Sequence, residues 1–330
     1  MLMACNETVD GTSGRVPIGR YSAESVQGVL PLVHFKNAIF GNSLVSMPFL
    51  DGGGILASDK VAADILLSEV IQLGYKIGAS RIELRHEHPL SSCDDIDVSR
   101  HEHAGMPLYV ATKSDKVRML LKLPGSSQLL AKSFKSKLKN QINKPLKEGL
   151  TAKTGGAELL DDFYSVFLAN MRDLGSPVHS LKLMRHAMSE FSENSSIIVV
   201  YKSGEPLAAA LVIGFQKVLR NPWASSLRKY APLSPNMLLY LRMLEYACDH
   251  GYQVFDFGRS SVGEGTYKFK EQWGAEPEAL HWHYIALDGR QPDPDSVGKE
   301  KFATAVRYWK KLPLLVTKLI GPSIRKHISL

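Results

Sequence analysis

The 330-residue chain carries 40 Lys+Arg against 33 Asp+Glu, a formal net charge of +7, and is 44% hydrophobic and 22% charged. That balance excludes a fibrous or intrinsically disordered protein and suffices for two packed domains. A pI near 9.1 favours anionic partners such as tRNA, phosphorylated donors or an acidic membrane surface. Three widely spaced cysteines, Cys5, Cys93 and Cys248, frame neither a disulfide scaffold nor a zinc site, and no apolar run approaches about 20 residues, so a reducing, cytoplasmic setting without a membrane span is expected.

Residues 1–23 read as a loose leader. Val29 to Phe35 and Ser43 to Phe49 are predicted strands around the turn Phe40-Gly41-Asn42. Asp51-Gly52-Gly53-Gly54 breaks the pattern and, without the Lys-Ser/Thr of a P-loop, reads as a tight connection. Val61, Ile65, Leu66 and Val70 recur at helical spacing and predict a helix from Lys60 to about Leu73, closed by Gly74. A strand from Arg81 to Arg85 follows. His86-Glu87-His88 and His101-Glu102-His103 would each put two rings on one side of a strand, but no cysteine or carboxylate pattern accompanies them, and no metal site is expected.

Lys116 to Leu123 is a predicted strand, and Leu130, Phe134, Leu138 and Ile142 form the apolar stripe of a bridging helix. Beside that stripe Lys132, Lys135, Lys137, Lys139, Lys144 and Lys147 make a basic ridge, which suits either the phosphates of a tRNA or plain solvation. Amphipathic helices are predicted over Leu159 to Leu174 and Leu181 to Phe191. Strands Ile197 to Tyr201 and Leu207 to Phe215 flank the hairpin signal Lys202-Ser203-Gly204-Glu205-Pro206. Ser234 as N-cap, Pro235 at the first position and Gly251 past the end delimit the clearest helix. Strands Gln253 to Phe257 and His281 to Leu287 bracket a short helix from Tyr267 to Trp273. After the linker Pro292-Asp293-Pro294-Asp295, the tail sets Phe302, Val306, Trp309 and Leu312 against Arg307, Lys310 and Lys311, a pattern for packing on the core or lying on a membrane.

Chemistry concentrates where Phe255-Asp256-Phe257-Gly258-Arg259-Ser260 ends a strand, because α/β folds place ligands at such edges. The glycine-bearing segment Gly258 to Gly265 could cradle an anion through its amides or merely satisfy turn geometry. On the helix after it Tyr267, Lys270 and Glu271 share one face, and Phe269 and Trp273 another. An amine attacking an ester or thioester carbonyl creates a negative oxygen that a fixed cation such as Lys270 would stabilise, although spacing alone favours a solvated lysine. Asp256 and Tyr267 are candidate proton handlers and Arg259 a candidate grip for an anionic donor.

The run Phe255-Asp256-Phe257-Gly258-Arg259-Ser260-Ser261, with Gly265-Thr266-Tyr267, Phe269-Lys270 and Gln272-Trp273-Gly274-Ala275-Glu276-Pro277, closely resembles FemAB-like proteins associated with exosortase (PEP-CTERM) and exopolysaccharide systems. The resemblance extends to Gly28-Val29-Leu30-Pro31-Leu32-Val33-His34, Glu83-Leu84-Arg85-His86, Asn170-Met171-Arg172-Asp173-Leu174-Gly175, Pro222-Trp223-Ala224-Ser225-Ser226 and Ser234-Pro235-Asn236-Met237-Leu238-Leu239-Tyr240. It implies a pair of GNAT-like α/β (α+β) halves with mixed sheets, and amide formation in which Fem relatives take the acyl group from aminoacyl-tRNA. In those relatives the lysine of the Phe-Lys pair is implicated in the transferase site, which here is Phe269-Lys270. The matching segments nominate Arg172, Trp223, Ser225, Asn236 and Tyr240 for substrate binding, beside Phe269, Arg259, Ser260, Gly263 and Gly265.

Against the family pattern the first half looks truncated, the basic helix carries Pro145, and the Arg/Gln-x-x-Gly-x-Gly/Ala loop that holds the CoA pyrophosphate in many acetyltransferases is not evident. The expected layout is a leader over 1–23, a first half over 24–125, a bridging helix over 126–149, a catalytic half over 150–290 and a basic tail over 291–330. The expected function is transfer of an aminoacyl or acyl group, from aminoacyl-tRNA or acyl-CoA with no permanently bound cofactor, to an amine on a saccharide or peptide. The expected partners are tRNA at residues 132–147 and the inner face of the membrane at residues 301–330. The rivals are an acyl-CoA-dependent N-acyltransferase acting on a polysaccharide amino sugar and a non-catalytic binding module.

Overall fold

The computed structural model describes residues 2–5, 26–37, 41–90, 108–291 and 302–329; Phe40, Cys93, His101-Glu102-His103 and the linker Pro292 to Asp295 lie outside them. The chain divides into two compact units, one formed by Met1–Lys116, Ala279–Val297 and His327–Leu330, the other by Val117–Glu278 and Gly298–Lys326. In chain order the first stretch gives β1 (Leu2–Cys5), β2 (Val26–Leu30), β3 (Leu32–Asn37), β4 (Gly41–Ser46), β5 (Leu56–Ala57), α1 (Lys60–Lys76), β6 (Arg81–His86) and β7 (Tyr109–Lys113). The second gives β8 (Lys116–Lys122), α2 (Ser127–Ser133), α3 (Ser136–Lys147), β9 (Thr151–Gly155), α4 (Leu160–Leu174), α5 (Leu181–Glu190), β10 (Ser195–Lys202), β11 (Glu205–Phe215), β12 (Val218–Ser226), α6 (Pro235–Asp249), β13 (Val254–Ser261), α7 (Gly265–Glu271) and β14 (Glu276–Ala279). β15 (His281–Ala286), α8 (Ala303–Trp309) and α9 (Leu314–Arg325) complete the chain.

In the first unit a sheet ordered β3-β4-β6-β15-β7 and a smaller one ordered β1-β2-β5 share a core with α1, built on Leu30, Leu44, Leu66, Val70, Ile82 and Ile285. The expected leader is not loose throughout, because β1 pairs antiparallel with β2. The single strand expected over Val29 to Phe35 is two strands in different sheets, divided at Pro31, which has no N–H to give a ladder. Nor is Gly74 a C-cap: α1 runs on to Lys76, Gly78 takes the left-handed conformation at φ 65°, and Gly74 leaves room for Leu287 and Ile82 to pack on the helix. Asp59 caps the other end by accepting the Ala62 N–H at 2.8 Å. β15, which chain order groups with the second half, pairs with both β6 and β7.

Gly54 closes the Gly52-Gly53-Gly54 turn against the buried His86 ring, whose Nε2 accepts the Ile55 N–H at 2.9 Å. A methyl group at Gly54 would strike that ring. Gly54→Ala is therefore expected to cost about 1–3 kcal/mol through overpacking, read as a lowered thermal midpoint; an unchanged midpoint would show that the ring can yield.

The second unit is a sheet ordered β14-β8-β13-β12-β11-β10-β9 covered on both faces. Alternation along β10 explains why its apolar run is continuous. Ile198 and Val200 join the core under α2, α3 and α6, whereas Ile197, Val199 and Tyr201 join the core under α4 and α5. The four aliphatic residues Ile197 to Val200 are fully buried, each contributing about 1.5–3 kcal/mol relative to exposure. The hairpin β10–β11 turns at Ser203 and Gly204, both with positive φ. Leu130, Phe134, Leu138 and Ile142 are buried as their stripe predicts, but on two helices, since Phe134 is extended at φ −68°, ψ 133°. Ser234 precedes α6 in the left-handed region and makes no side-chain cap, so Pro235 alone of the expected start signals acts there.

The tail is two helices split at Pro313. Among the described residues no helix is long and apolar enough to cross a membrane.

Candidate functional site

The site lies within the second unit, where two parallel strands part. β12 and β13 pair only at Val218 with Val254, Leu219 with Phe255 and Arg220 with Asp256. Past those pairs β12 continues to Ser226 along β11 while β13 continues to Ser261. Two local features drive them apart. Pro222 has no N–H to offer and sits where the β11–β12 register shifts. Gly258 bends β13 by adopting φ 75°, which costs a glycine little. The bend is fastened by the buried Asp256, whose carboxylate accepts the Gly258 N–H at 2.8 Å. Arg118 and Arg220 flank that carboxylate at 3.9 and 3.8 Å, and Arg118 also holds Glu278 at 2.6 Å.

Sequence reasoning ended this strand at Phe257 and placed Gly258 onward in a loop; the strand instead carries Gly258, Arg259 and Ser260 in its last turn-free stretch. Lys270 returns to it from α7. Its side chain is buried, 7% exposed, and its ammonium donates to the Gly258 carbonyl at 3.0 Å and the Arg259 carbonyl at 2.8 Å. Lys270 is therefore not the solvated lysine that spacing alone favoured. The face expected to unite Tyr267, Lys270 and Glu271 is divided: Lys270 and Trp273 are buried, Tyr267 is half-buried and Glu271 is exposed. A short helix lying on a sheet buries the side chains nearest the strand, whichever face the pattern suggested.

Across the opening stands Tyr240 of α6, stacked on Phe257 with ring centroids 5.5 Å apart and edge-on to Phe269 at 4.9 Å. Burial pushes its phenol up to about 12, so the hydroxyl keeps its proton at neutral pH and can donate it. Asn221, the first β12 residue past the last pair, gives its Nδ2 to that hydroxyl at 3.4 Å. Asn221 Oδ1 and Ser260 Oγ are buried on the two parting strands without a hydrogen-bond partner in the chain. Buried polar atoms in that condition cost free energy unless a ligand engages them. On β12 further along, Ser225 accepts from Asn170 Nδ2 at 3.0 Å, and Trp223 lies edge-on to His179 at 6.3 Å.

The fold thus brings together Asp256, Arg259, Ser260, Phe269, Lys270 and Tyr240, and places Trp223 and Ser225 on the neighbouring strand. It does not gather the others. Gly263 and Gly265 are exposed at the turn into α7, Asn236 is exposed on the first turn of α6, and the Arg172 guanidinium is engaged with Asp173 at 2.7 Å. Asn221, Arg118 and Arg220 escaped the sequence reading, which named Asn170 only within a matching segment; the one available signal for Asn221 was an Asn-Pro pair inside a β-rich run. Among the described residues no group of three or more His, Cys, Asp or Glu is disposed to hold a metal ion.

A family model for an acetyltransferase (GNAT) domain matches residues 132–271, which span α3 through α7 and contain the whole of this opening. Three solved structures share the fold. FemX is 15% identical, with a TM-score of 0.57 over 82% of this chain and 87% of its own. The C-terminal domain (DUF2156) of a protein described as a lysylphosphatidylglycerol synthetase from Agrobacterium fabrum is 13% identical, with a TM-score of 0.54 over 78% and 80%. L-PGS from Bacillus licheniformis is 16% identical, with a TM-score of 0.53 over 91% and 88%. No curated protein sequence matches the chain significantly. The mixed α/β architecture is GNAT-like, and the family whose model matches is one of acetyltransferases.

Proposed function

We propose that the GNAT domain transfers an activated aminoacyl or acyl group to an amine on a saccharide or peptide acceptor, forming an amide in cell-envelope or exopolysaccharide synthesis. The observation that carries this reading is the parting of β12 and β13, with the Tyr240 hydroxyl bonded to Asn221 of one strand and two buried polar atoms without partners on the two strands. In the reaction the acceptor nitrogen attacks the carbonyl carbon, a C–N bond forms, and the bond to the departing oxygen or sulfur breaks as the amine loses a proton and the leaving group gains one. Tyr240 is suited to donate toward the developing negative charge, because its hydroxyl accepts from Asn221 and is polarised by it. Asp256 and Lys270 act as positioning residues that fix the bend at Gly258, and the buried ammonium adds a positive field beside the reacting carbonyl. Arg259 remains the grip for an anionic donor group and Tyr267 a second proton handler.

An aminoacyl ester is favoured as donor by the connection between β12 and α6. It runs Arg228-Lys229-Tyr230-Ala231-Pro232-Leu233-Ser234-Pro235, without glycine, and Glu205 accepts from both Lys229 and Tyr230. Such a segment does not offer the amide nest that a CoA pyrophosphate requires. The exposed lysines of α2 and α3 give a tRNA backbone a place to lie, and two of the structurally similar proteins are described as FemX and as a lysylphosphatidylglycerol synthetase. Acyl-CoA is the second reading, favoured by the GNAT match itself.

Purified chain mixed with labelled aminoacyl-tRNA or acyl-CoA and a panel of amines separates these readings. The expected result is transfer from aminoacyl-tRNA, reduced at least about tenfold by Tyr240→Phe with little change in apparent donor affinity. Transfer from acyl-CoA alone would select the second donor. Tight binding of either donor with no turnover on any amine would make the chain a binding module and defeat the proposal.

A further inference from the structure

The tail carries a surface that the catalytic reading leaves unused. α9 packs on α4 through one side only: Thr317 and Gly321 are buried, and a side chain at Gly321 would meet Val178. Arg325, one turn on, donates from Nε to His179 Nε2 at 3.2 Å. The opposite side is aliphatic and in solvent, with Leu315 and Leu319 at 75% and 77% exposure and Val316 and Ile320 beside them. A helix that needed only to cover the core would show water its polar residues there. These four instead form an i, i+1, i+4, i+5 stripe wide enough to be buried by something else.

Charge identifies the occupant. From Phe302 to Ser329 the chain holds Arg307, Lys310, Lys311, Lys318, Arg325 and Lys326 and not one Asp or Glu. Five of them, all but the Arg325 held by His179, are exposed; they would repel a second copy of the same tail but match an anionic lipid surface, whose headgroups take the charges while the aliphatic side chains enter the acyl boundary. A tRNA would satisfy the cations and leave the leucines in water. We infer that α8 and α9 form a peripheral membrane anchor for anionic bilayers, lying in the interface on Leu315, Val316, Leu319 and Ile320. His179 faces Trp223 of β12, so the buried side of α9 is joined to the strand that borders the transfer site. Binding by this anchor requires no catalysis, and its test is independent of the transfer reaction.

The test is co-sedimentation of the full chain with vesicles of phosphatidylcholine mixed with phosphatidylglycerol and with vesicles of phosphatidylcholine alone. Binding is expected only to the mixed vesicles, weakening as salt rises. The double variant L315E/L319E, in which both substitutions lie on the exposed stripe, should lose at least about tenfold in partitioning. Lys310→Gln with Lys311→Gln should lose less and flatten the salt dependence. Circular dichroism and size-exclusion chromatography of each variant report folding and association. Equal binding to neutral vesicles, no binding to anionic ones, or unchanged binding of a folded L315E/L319E protein would overturn the anchor. So would a wild-type dimer that L315E/L319E converts to a monomer, which would assign the stripe to self-association.

Discussion

Replacing Lys270 with methionine is expected to lower kcat for transfer at least about 100-fold and to lower stability by about 1–3 kcal/mol. Methionine preserves the length and the apolar stem, so the change isolates the ammonium. In the wild type that ammonium holds the Gly258 and Arg259 carbonyls at 3.0 and 2.8 Å in a place only 7% exposed. Without it two inward-facing carbonyls lose their donor and the Gly258 bend, fastened otherwise by Asp256, is free to relax toward β12. The site closes as a result. The distinction between a strut and a contributor to chemistry is made by comparing kcat with the thermal midpoint. Loss of both, with donor KM little changed, fits a cation that shapes the opening and supports the charged intermediate. A lower midpoint with kcat intact in the folded variant would reduce Lys270 to a strut and remove it from the reaction.

The second large effect is acid sensitivity. Burial, reinforced by His283 and His281, holds His86 at a pKa of about 3, and burial beside Arg325 holds His179 at about 3, against the ordinary histidine value of 6.5. Each folded pKa is depressed, so the unfolded chain binds more protons between those limits. The stability tied to each neutral ring is fully present above pH 6.5 and is lost as pH falls from there toward 3. At about 1.4 kcal/mol per pKa unit either histidine alone removes a few kcal/mol, a large part of an ordinary domain's total. Because His86 belongs to the first unit and His179 to the second, both units should weaken over the same window. Thermal midpoints recorded from pH 7 to pH 4 should fall steeply, and His86→Gln or His179→Gln should flatten the fall even where it lowers the value at pH 7. Midpoints that do not move between pH 6.5 and pH 4 would show that neither ring is held neutral.

Local rules reached far into this fold. Leu130, Phe134, Leu138 and Ile142 are buried as their spacing demands although the helix breaks at Phe134, because the core selects the stripe and the backbone accommodates it. The β10–β11 hairpin and the start of α6 follow from Gly204, which reaches positive φ at little cost, and from Pro235, whose ring fixes its φ. The Phe269-Lys270 pair could also be singled out, since its resemblance to a transferase motif is a property of the string.

What Lys270 touches was not legible in the same way. Its partners are carbonyls 11 and 12 residues away on β13, and carbonyls carry no sequence signature. The same holds for the opening, which exists because β12 and β13, separated by the whole of α6, pair in parallel for three residues and then stop. Pairing partners, strand order and the return of β15 to the first unit depend on closing long loops and on which faces bury together. The amino-acid sequence by itself determined the elements, the apolar faces and the kinship of the transferase segment. Only the tertiary structure decided that Asn221 meets Tyr240, that Lys270 is tied to a bent strand, and that the Leu315–Leu319 stripe faces solvent, because each of these is a relation between distant residues that no local energy specifies.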